Sequence, residues 1–267
     1  MKLGAIGGGK MGTAMLAAVS RAGLAEARDL CVCDIDPQRR ELLAREYGFH
    51  VVADARDVLA ASCGVLLAVK PQNLDEVLDE ISDCVTPEHL LISIAAGKRL
   101  AGIAARLPAG SALVRVMPNL PAVVGAGMSV FCCGGHVTAH DRDLTRSLLE
   151  SVGKVREMPE ELFDVVTAVS GSGPAFFAYF ANALAEAGAA RGLDAEAAAD
   201  MAVQTMLGTA RLLADGVFPD PAALIAAVSS KGGTTVAGMQ VLSGGDVSAT
   251  VQRTVDAAAR RSRELQQ

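Results

Sequence analysis

The chain is predicted to be a two-part α/β protein: a doubly wound, mostly parallel sheet followed by an all-helical half. Three observations carry this. Short, continuously apolar runs alternate with helix-period segments as far as about residue 155, as strands buried on both faces require. Beyond that point β-branched runs vanish, and Ala, Leu and Met recur at helical spacing. The 267 residues are enough for two domains and for a core that needs no disulfide or metal to fold. The expected division is 1–157 and 158–267.

Strands are expected at 2–6, 29–34, 50–52, 64–69, 90–94, 112–117 and 127–132. Helices are expected between them at 10–22, 37–47, 54–61, 73–83 and 99–107. Pro37 suits a first helical turn, and Asp36 suits the N-cap before it. Pro118 stops the 112–117 run. In the second half helices are expected at 161–168, 174–191, 195–215, 221–228, 234–243 and 246–265, with stops at Gly192, Gly216 and Gly244-Gly245. The 174–191 segment is apolar nearly all round, through Phe176, Phe177, Phe180 and Leu184. Such a helix is buried in a core or against another subunit, and a subunit interface is favoured here.

Charge and composition exclude several functions. A formal net charge of −6 and the absence of Trp leave neither a basic face nor stacking platforms for a nucleic-acid partner. No apolar run approaches the roughly 18–20 residues of a membrane span. Glycines occupy the start MKLGAIGGGKMG, where a secretion signal needs a continuous apolar stretch, so a cytoplasmic location is expected. The six cysteines show no disulfide spacing. Cys132, Cys133, His136 and His140 crowd soft ligands into nine residues, but without the separated pairs of a zinc site. No metal is expected: Cys132 and Cys133 end a strand, and Thr138 or His140 opens the next helix.

Gly7-Gly8-Gly9-Lys10-Met11-Gly12 matches G-x-G-x-x-G directly after the first strand and at the start of a helix. In that context it reads as a Rossmann-type dinucleotide loop. Gly7 permits the tight turn, Gly9 lets backbone approach a pyrophosphate, and Gly12 lets the helix pack on the sheet. The N–H groups of Lys10 and Met11 then face the anion. Asp34 ends the second strand, where a carboxylate bonds the adenosine ribose; this favours NADH. Arg39 and Arg40 can instead receive a 2′-phosphate, so NADPH and NADH both stay open. Ala68-Val69-Lys70-Pro71 and Ala95-Ala96-Gly97 end further strands at the same crevice, and Asn119 offers an amide to the carboxamide or ribose.

Two loops in the helical half stand out. Ser170-Gly171-Ser172-Gly173-Pro174 precedes the apolar helix, with Ser172 or Gly173 suited to its N-cap. Ser229-Ser230-Lys231-Gly232-Gly233-Thr234-Thr235 opens another helix and exposes N–H groups suited to a carboxylate, unless Thr234 simply caps that helix. After His140 there is no histidine, and the helical half has one lysine, Lys231, and one tyrosine, Tyr179. Ketone reduction creates an alkoxide and needs a positioned proton donor. Hydride addition to a protonated imine neutralises the nitrogen and needs none, so C=N reduction suits this chain better.

At these residues the sequence resembles the pyrroline-5-carboxylate reductases. The stretches are IGGGKMG (6–12), AVKPQ (68–72), SIAAG (93–97), RVMPNLPAVVGAGM (115–128), VSGSGPAF (169–176) and SSKGGTT (229–235). The resemblance implies an N-terminal Rossmann domain and a helical domain through which two copies intertwine, with dimers assembling in many members into decamers. It implies hydride transfer from NADPH or NADH to C5 of 1-pyrroline-5-carboxylate, giving L-proline. The substrate carboxylate would be held by N–H groups of the loop Ser230, Lys231, Gly232, Gly233, Thr234 and Thr235. The Thr235 hydroxyl would contact the ring nitrogen and relay its proton, and Met117 and Ser172 complete the expected substrate set. The chain departs from the family pattern at Leu120, often Thr, at Lys231, often Pro, and at Ile225-Ala226-Ala227, often Lys-Asp followed by Asn or Met.

Two other classes compete. A β-hydroxyacid dehydrogenase also joins a Rossmann domain to helices but uses a lysine on a long helix, whereas Lys231 lies in a glycine loop. A nucleotide-sensing protein without turnover would have no use for a second glycine-rich anion loop.

Overall fold

The computed structural model describes residues 2–265 and divides into two compact units, 1–172 with 258–267, and 173–257. The break after Ser172 falls fifteen residues beyond the sequence-derived 157/158 division, and the end of the last helix, from Ala258, belongs to the first unit.

The first unit is built on one eight-stranded sheet: β1 (Leu3–Ile6), β2 (Leu30–Cys33), β3 (His50–Val52), β4 (Gly64–Leu67), β5 (Leu90–Ser93), β6 (Ala112–Met117), β7 (Gly127–Cys133) and β8 (Gly153–Glu157), in the order β3-β2-β1-β4-β5-β6-β7-β8. The connecting helices are α1 (Lys10–Arg21), α2 (Pro37–Leu42), α3 (Ala55–Ala61), α4 (Leu74–Ile81), α5 (Leu100–Ala104), α6 (Ala139–Glu150) and α7 (Phe163–Val166). All residues of β1, β2, β4 and β5 are buried, as continuous apolar runs between two helical layers must be. One face packs Met15 and Leu16 of α1 and Leu148 and Leu149 of α6 onto Leu3, Val32, Leu66 and Phe131. The other packs Val58 of α3 and Leu74, Leu78 and Ile81 of α4 onto Ile6, Val65, Leu67 and Leu91. Asp36 caps α2 through the Gln38 N–H, and Asp54 caps α3 through the Arg56 N–H.

Three features depart from the sequence reading. β7 runs antiparallel to β6, with Val116 opposite Phe131, because a nine-residue link can turn the chain back but cannot carry a parallel crossover. β8 was not expected; its GKVRE sequence is an edge strand with charged, exposed positions rather than an apolar run. Ser170-Gly171 lies in a wide helical turn, Thr167–Gly171, that continues α7 toward the next helix. Glycine and serine there reflect an expanded turn rather than a loop.

The second unit holds α8 (Gly173–Ala189), α9 (Ala195–Ala214), α10 (Pro221–Val228), α11 (Thr234–Gly244) and most of α12 (Val247–Glu264). α8 and α9 pack as an antiparallel pair, joined by a short turn. The apolar face of α8 is not sealed within one chain: Phe177 is 66% exposed and Tyr179 78%.

Candidate functional site

The order of the strands reverses between β1 and β4, which is where open α/β sheets bind ligands, outside the carboxyl ends. The glycine loop sits there. The Gly7 N–H donates to Cys33 O (2.8 Å), and the Ala68 N–H donates to Ile6 O (2.8 Å), so the ends of β1, β2 and β4 are tied together. Gly7 adopts φ +105°, and a Cβ on it would lie 2.7 Å from the Ala68 carbonyl; only glycine can make this turn. A Cβ on Gly12 would fall 2.4 Å from Gly7 O, so glycine there lets α1 seat against the loop. A Cβ on Gly9, by contrast, would meet nothing within 4 Å. Gly9 is the N-cap of α1 and brings no side chain to its first turn, which leaves an open cradle of backbone donors suited to a pyrophosphate. Lys10 is exposed and Met11 half-buried on that turn.

Asp34 is half-buried just past β2. Its Oδ2 accepts from the Gly8 N–H and its Oδ1 from the Asp36 N–H, both at 2.9 Å. The carboxylate is thus fixed between the glycine loop and the start of α2. Both arginines that follow turn onto backbone: Arg40 Nη1 donates to Asp34 O (2.7 Å), and Arg39 Nε to Gly8 O. Val69 and Pro71 are half-buried and Lys70 exposed at the end of β4; beyond β5, Ala95 is buried and Ala96 exposed, and Gly97 turns at φ +76°.

Two motifs that the sequence keeps far apart meet in this unit. The Asn119 amide donates to Ser170 O (3.2 Å) and accepts from the Met128 N–H (2.9 Å), so its polar atoms staple the β6–β7 link to the wide turn. Met117 packs so closely on Gly171 that any Cβ there would strike its methyl carbon. Ser172 follows that turn, half-buried. Sequence reasoning missed Thr13, and it read Arg39 only as a receiver of a 2′-phosphate. Thr13 is buried and donates to Gly8 O (2.9 Å), and Arg39 Nη2 donates to Thr13 Oγ1 (2.9 Å). A buried hydroxyl one residue past the fingerprint was the available signal.

In the second unit, residues 229–233 link α10 to α11. Gly232 turns at φ +73°, and the Gly233 N–H is taken up by Ser230 O at 2.9 Å. Gly233, not Thr234, is the N-cap of α11, and no side chain caps it. The first-turn N–H groups of Thr234 and Thr235 therefore start a helix without a side-chain acceptor. Lys231 is exposed in the loop, and Thr235 is half-buried.

Among the described residues no cluster of three or more His, Cys, Asp or Glu is placed to hold a metal ion. Cys132 and Cys133 end β7, and Thr138 caps α6 in a reciprocal capping box with Asp141. Burial pushes the Cys132 thiol up to about 12, with the Glu160 charge adding to it, and the Cys31 and Cys33 thiols up to about 11. These are inert, protonated core thiols. No helix among the described residues is long and apolar enough to cross a membrane.

Comparison with known proteins agrees with both halves. A family model described as pyrroline-5-carboxylate reductase dimerisation matches residues 160–265, and one described as NADP oxidoreductase coenzyme F420-dependent matches 2–97. A pyrroline-5-carboxylate reductase of Mycobacterium tuberculosis is 35% identical, with 99% of this chain and 96% of the relative covered. One of Synechocystis is 39% identical, with 99% and 98% covered. Among solved structures, a pyrroline-5-carboxylate reductase from Coxiella burnetii superposes with a TM-score of 0.95 at 30% identity over 100% of this chain and 98% of its own. The Plasmodium falciparum pyrroline carboxylate reductase, solved with NADP bound, gives 0.87 at 26% over the same shares. With a glycine loop at a strand-order reversal, a helical dimerisation domain and full-length relatives on both counts, the chain belongs to the pyrroline-5-carboxylate reductase family and is a nicotinamide-dependent oxidoreductase.

Proposed function

We propose that the chain reduces the cyclic C=N bond of 1-pyrroline-5-carboxylate to L-proline with NADPH or NADH, the closing step of proline synthesis. The observation that carries this most is the pairing, in one chain, of two uncapped glycine-rich helix starts, at Gly9 and at Gly233. Each is suited to a different anion, a pyrophosphate and a carboxylate.

In this reading residues 1–157 carry the dinucleotide, and 158–267 carry the substrate loop and the dimer contacts. Gly7, Gly9, Lys10, Met11 and Gly12 hold the pyrophosphate. Asp34 faces the adenosine ribose, and Ala68, Val69, Lys70, Pro71, Ala95, Ala96, Gly97 and Asn119 line the crevice toward the nicotinamide. When bound, the dinucleotide supplies the hydride. Ser230, Gly232, Gly233, Thr234 and Thr235 offer backbone donors to the substrate carboxylate, and Met117 and Ser172 belong to the proposed substrate-binding set. Because Gly233 already spends its N–H on Ser230, the first-turn donors of Thr234 and Thr235 carry more of this task. The Thr235 hydroxyl holds the proton at the ring nitrogen, which is neutralised as C5 is reduced. The position of Lys231 in a turn rather than on a long helix speaks against a ketone-reducing dehydrogenase. The greasy α8 is then the seam of an intertwined homodimer, from which decamers can be built. Six free cysteines fit the reducing cytoplasm.

Incubating the purified protein with pyrroline-5-carboxylate and NADH or NADPH should consume dinucleotide absorbance; no loss at any pH would remove the reading. Thr235→Val should lower turnover about tenfold or more while dinucleotide affinity holds. Comparing NADH with NADPH on the wild type and on Asp34→Ala tests the ribose assignment: a strong native preference for NADPH would refute it.

A further inference from the structure

Three side chains, Asp34, Thr13 and Arg39, hold the backbone of the glycine loop at Gly8. The Gly8 carbonyl receives two donors, the Thr13 hydroxyl at 2.9 Å and Arg39 Nε, and Arg39 Nη2 closes the triangle by donating to Thr13 Oγ1 at 2.9 Å. The preceding peptide is fixed as well, since the Gly8 N–H donates to Asp34 Oδ2 at 2.9 Å. There are no cis peptide bonds among the described residues, and in a trans peptide the C=O and the following N–H point in opposite directions. Drawing the Gly8 carbonyl back onto Arg39 and Thr13 therefore turns the Gly9 N–H the other way. No hydrogen bond within the described residues takes up this N–H, and a Cβ on Gly9 would meet no atom within 4 Å. A peptide between two glycines has little steric reason to keep one face outward, so the orientation must be imposed.

We propose that Arg39 and Thr13 are positioning residues that lock the Gly8–Gly9 peptide with its N–H aimed at the pyrophosphate. The guanidinium behind the carbonyl also polarises the peptide, which strengthens the outward N–H as a donor. This assigns Arg39 a part that is indifferent to the adenosine 2′-phosphate, although it follows β2 where a 2′-phosphate ligand is looked for. Arg39 is held there because α2 starts directly after β2, with Asp36 as its cap and Pro37 in its first turn.

The inference rests on the dinucleotide reading of the loop, and calorimetric titration of the wild type with NADH and with NADPH tests that reading first. Binding of neither would overturn the reading, and the inference with it, before any variant is made. Given binding, Arg39→Met and Thr13→Val should each weaken NADH and NADPH by about the same factor, near tenfold, as loss of a charge-assisted or buried hydrogen bond implies. The NADH-to-NADPH ratio and the KM for the imine should hold, and Arg39→Lys should recover part of the loss. Selective loss of NADPH in Arg39→Met would make the side chain a 2′-phosphate ligand and overturn the proposal. Unchanged affinity for both dinucleotides would overturn it too. So would a fall in Tm that accompanies scattered changes in every constant and that Arg39→Lys fails to reverse.

Discussion

Leu66, Leu67 and Phe131 in the first unit have no measurable exposure, whereas Phe177, Phe180 and Leu184 on α8 are each more than half exposed. Burying a side chain of this size contributes about 1.5–3 kcal/mol, so the second unit forgoes in isolation what the first has already gained. Its own buried apolar residues are small or few: Ala198, Ala202 and Leu224. The contrast teaches that the two halves are stabilised by different means. One is closed by a two-layer wrap of helices on a sheet; the other carries a dimerisation domain and leaves the apolar face of α8 open.

The largest expected effect tests the open half. Phe177→Asp should shift the protein toward monomer in sedimentation and lower Tm by many degrees, because a charge placed in an apolar seam is neither paired nor hydrated. An unchanged oligomer would show that α8 is not the seam. In the closed half, Leu66→Ala should cost about 2–5 kcal/mol in chemical denaturation with the subunit number unaltered. Next is the ion pair of Arg115 and Glu160, 2.8 Å apart, with the guanidinium only 5% exposed and stacked 4.6 Å from the Phe163 ring centroid. Glu160→Ala would strand that cation and remove the acceptor of the Leu100 N–H, at a cost of about 3 kcal/mol by the same measurement.

Alkaline stability separates the halves as well. The thiols of Cys31, Cys33 and Cys132 all belong to the first unit and are pushed up to about 11, 11 and 12 by burial. An unfolded thiol ionises at about 8.5. Below that pH both states are protonated and nothing changes; above it only the unfolded state releases the proton, so stability falls progressively until the folded pKa values are reached. Urea midpoints should therefore drop between about pH 9 and pH 11, and Cys132→Val should make that drop shallower. The smallest effect belongs to the exposed pair Arg253–Asp246 of the second unit: Arg253→Gln should change stability by less than about 0.5 kcal/mol.

The sheet-and-helix alternation was legible because strands buried on both faces must be written as apolar runs, and GVLLAV and LLISI are such runs. The edge strand at 153–157 was not, since an edge position permits Lys154, Arg156 and Glu157, which carry no apolar signature. The direction of β7 was hidden for another reason: an apolar run reads the same in either direction. The glycine fingerprint gave the place of the loop, and Asp36 the cap of α2. The back-bonding of Arg39 and Thr13 could not be read, because it depends on two side chains twenty-six residues apart converging on one carbonyl. Met117 with Gly171 and Asn119 with Ser170 are of the same kind, joined by folding rather than by spacing.

The polypeptide passes from the first unit to the second after Ser172 and comes back after Ala257, and the returning stretch plants the Ser262 hydroxyl on the buried Asp164 carboxylate at 2.7 Å. A fragment ending at residue 172 would thus lose one donor to an interior acid. Dissecting the molecule by expressing its halves separately requires that residues 258–265 be grafted back onto the sheet-bearing piece. A single protease nick inside the helical segment would still leave both products anchored to it.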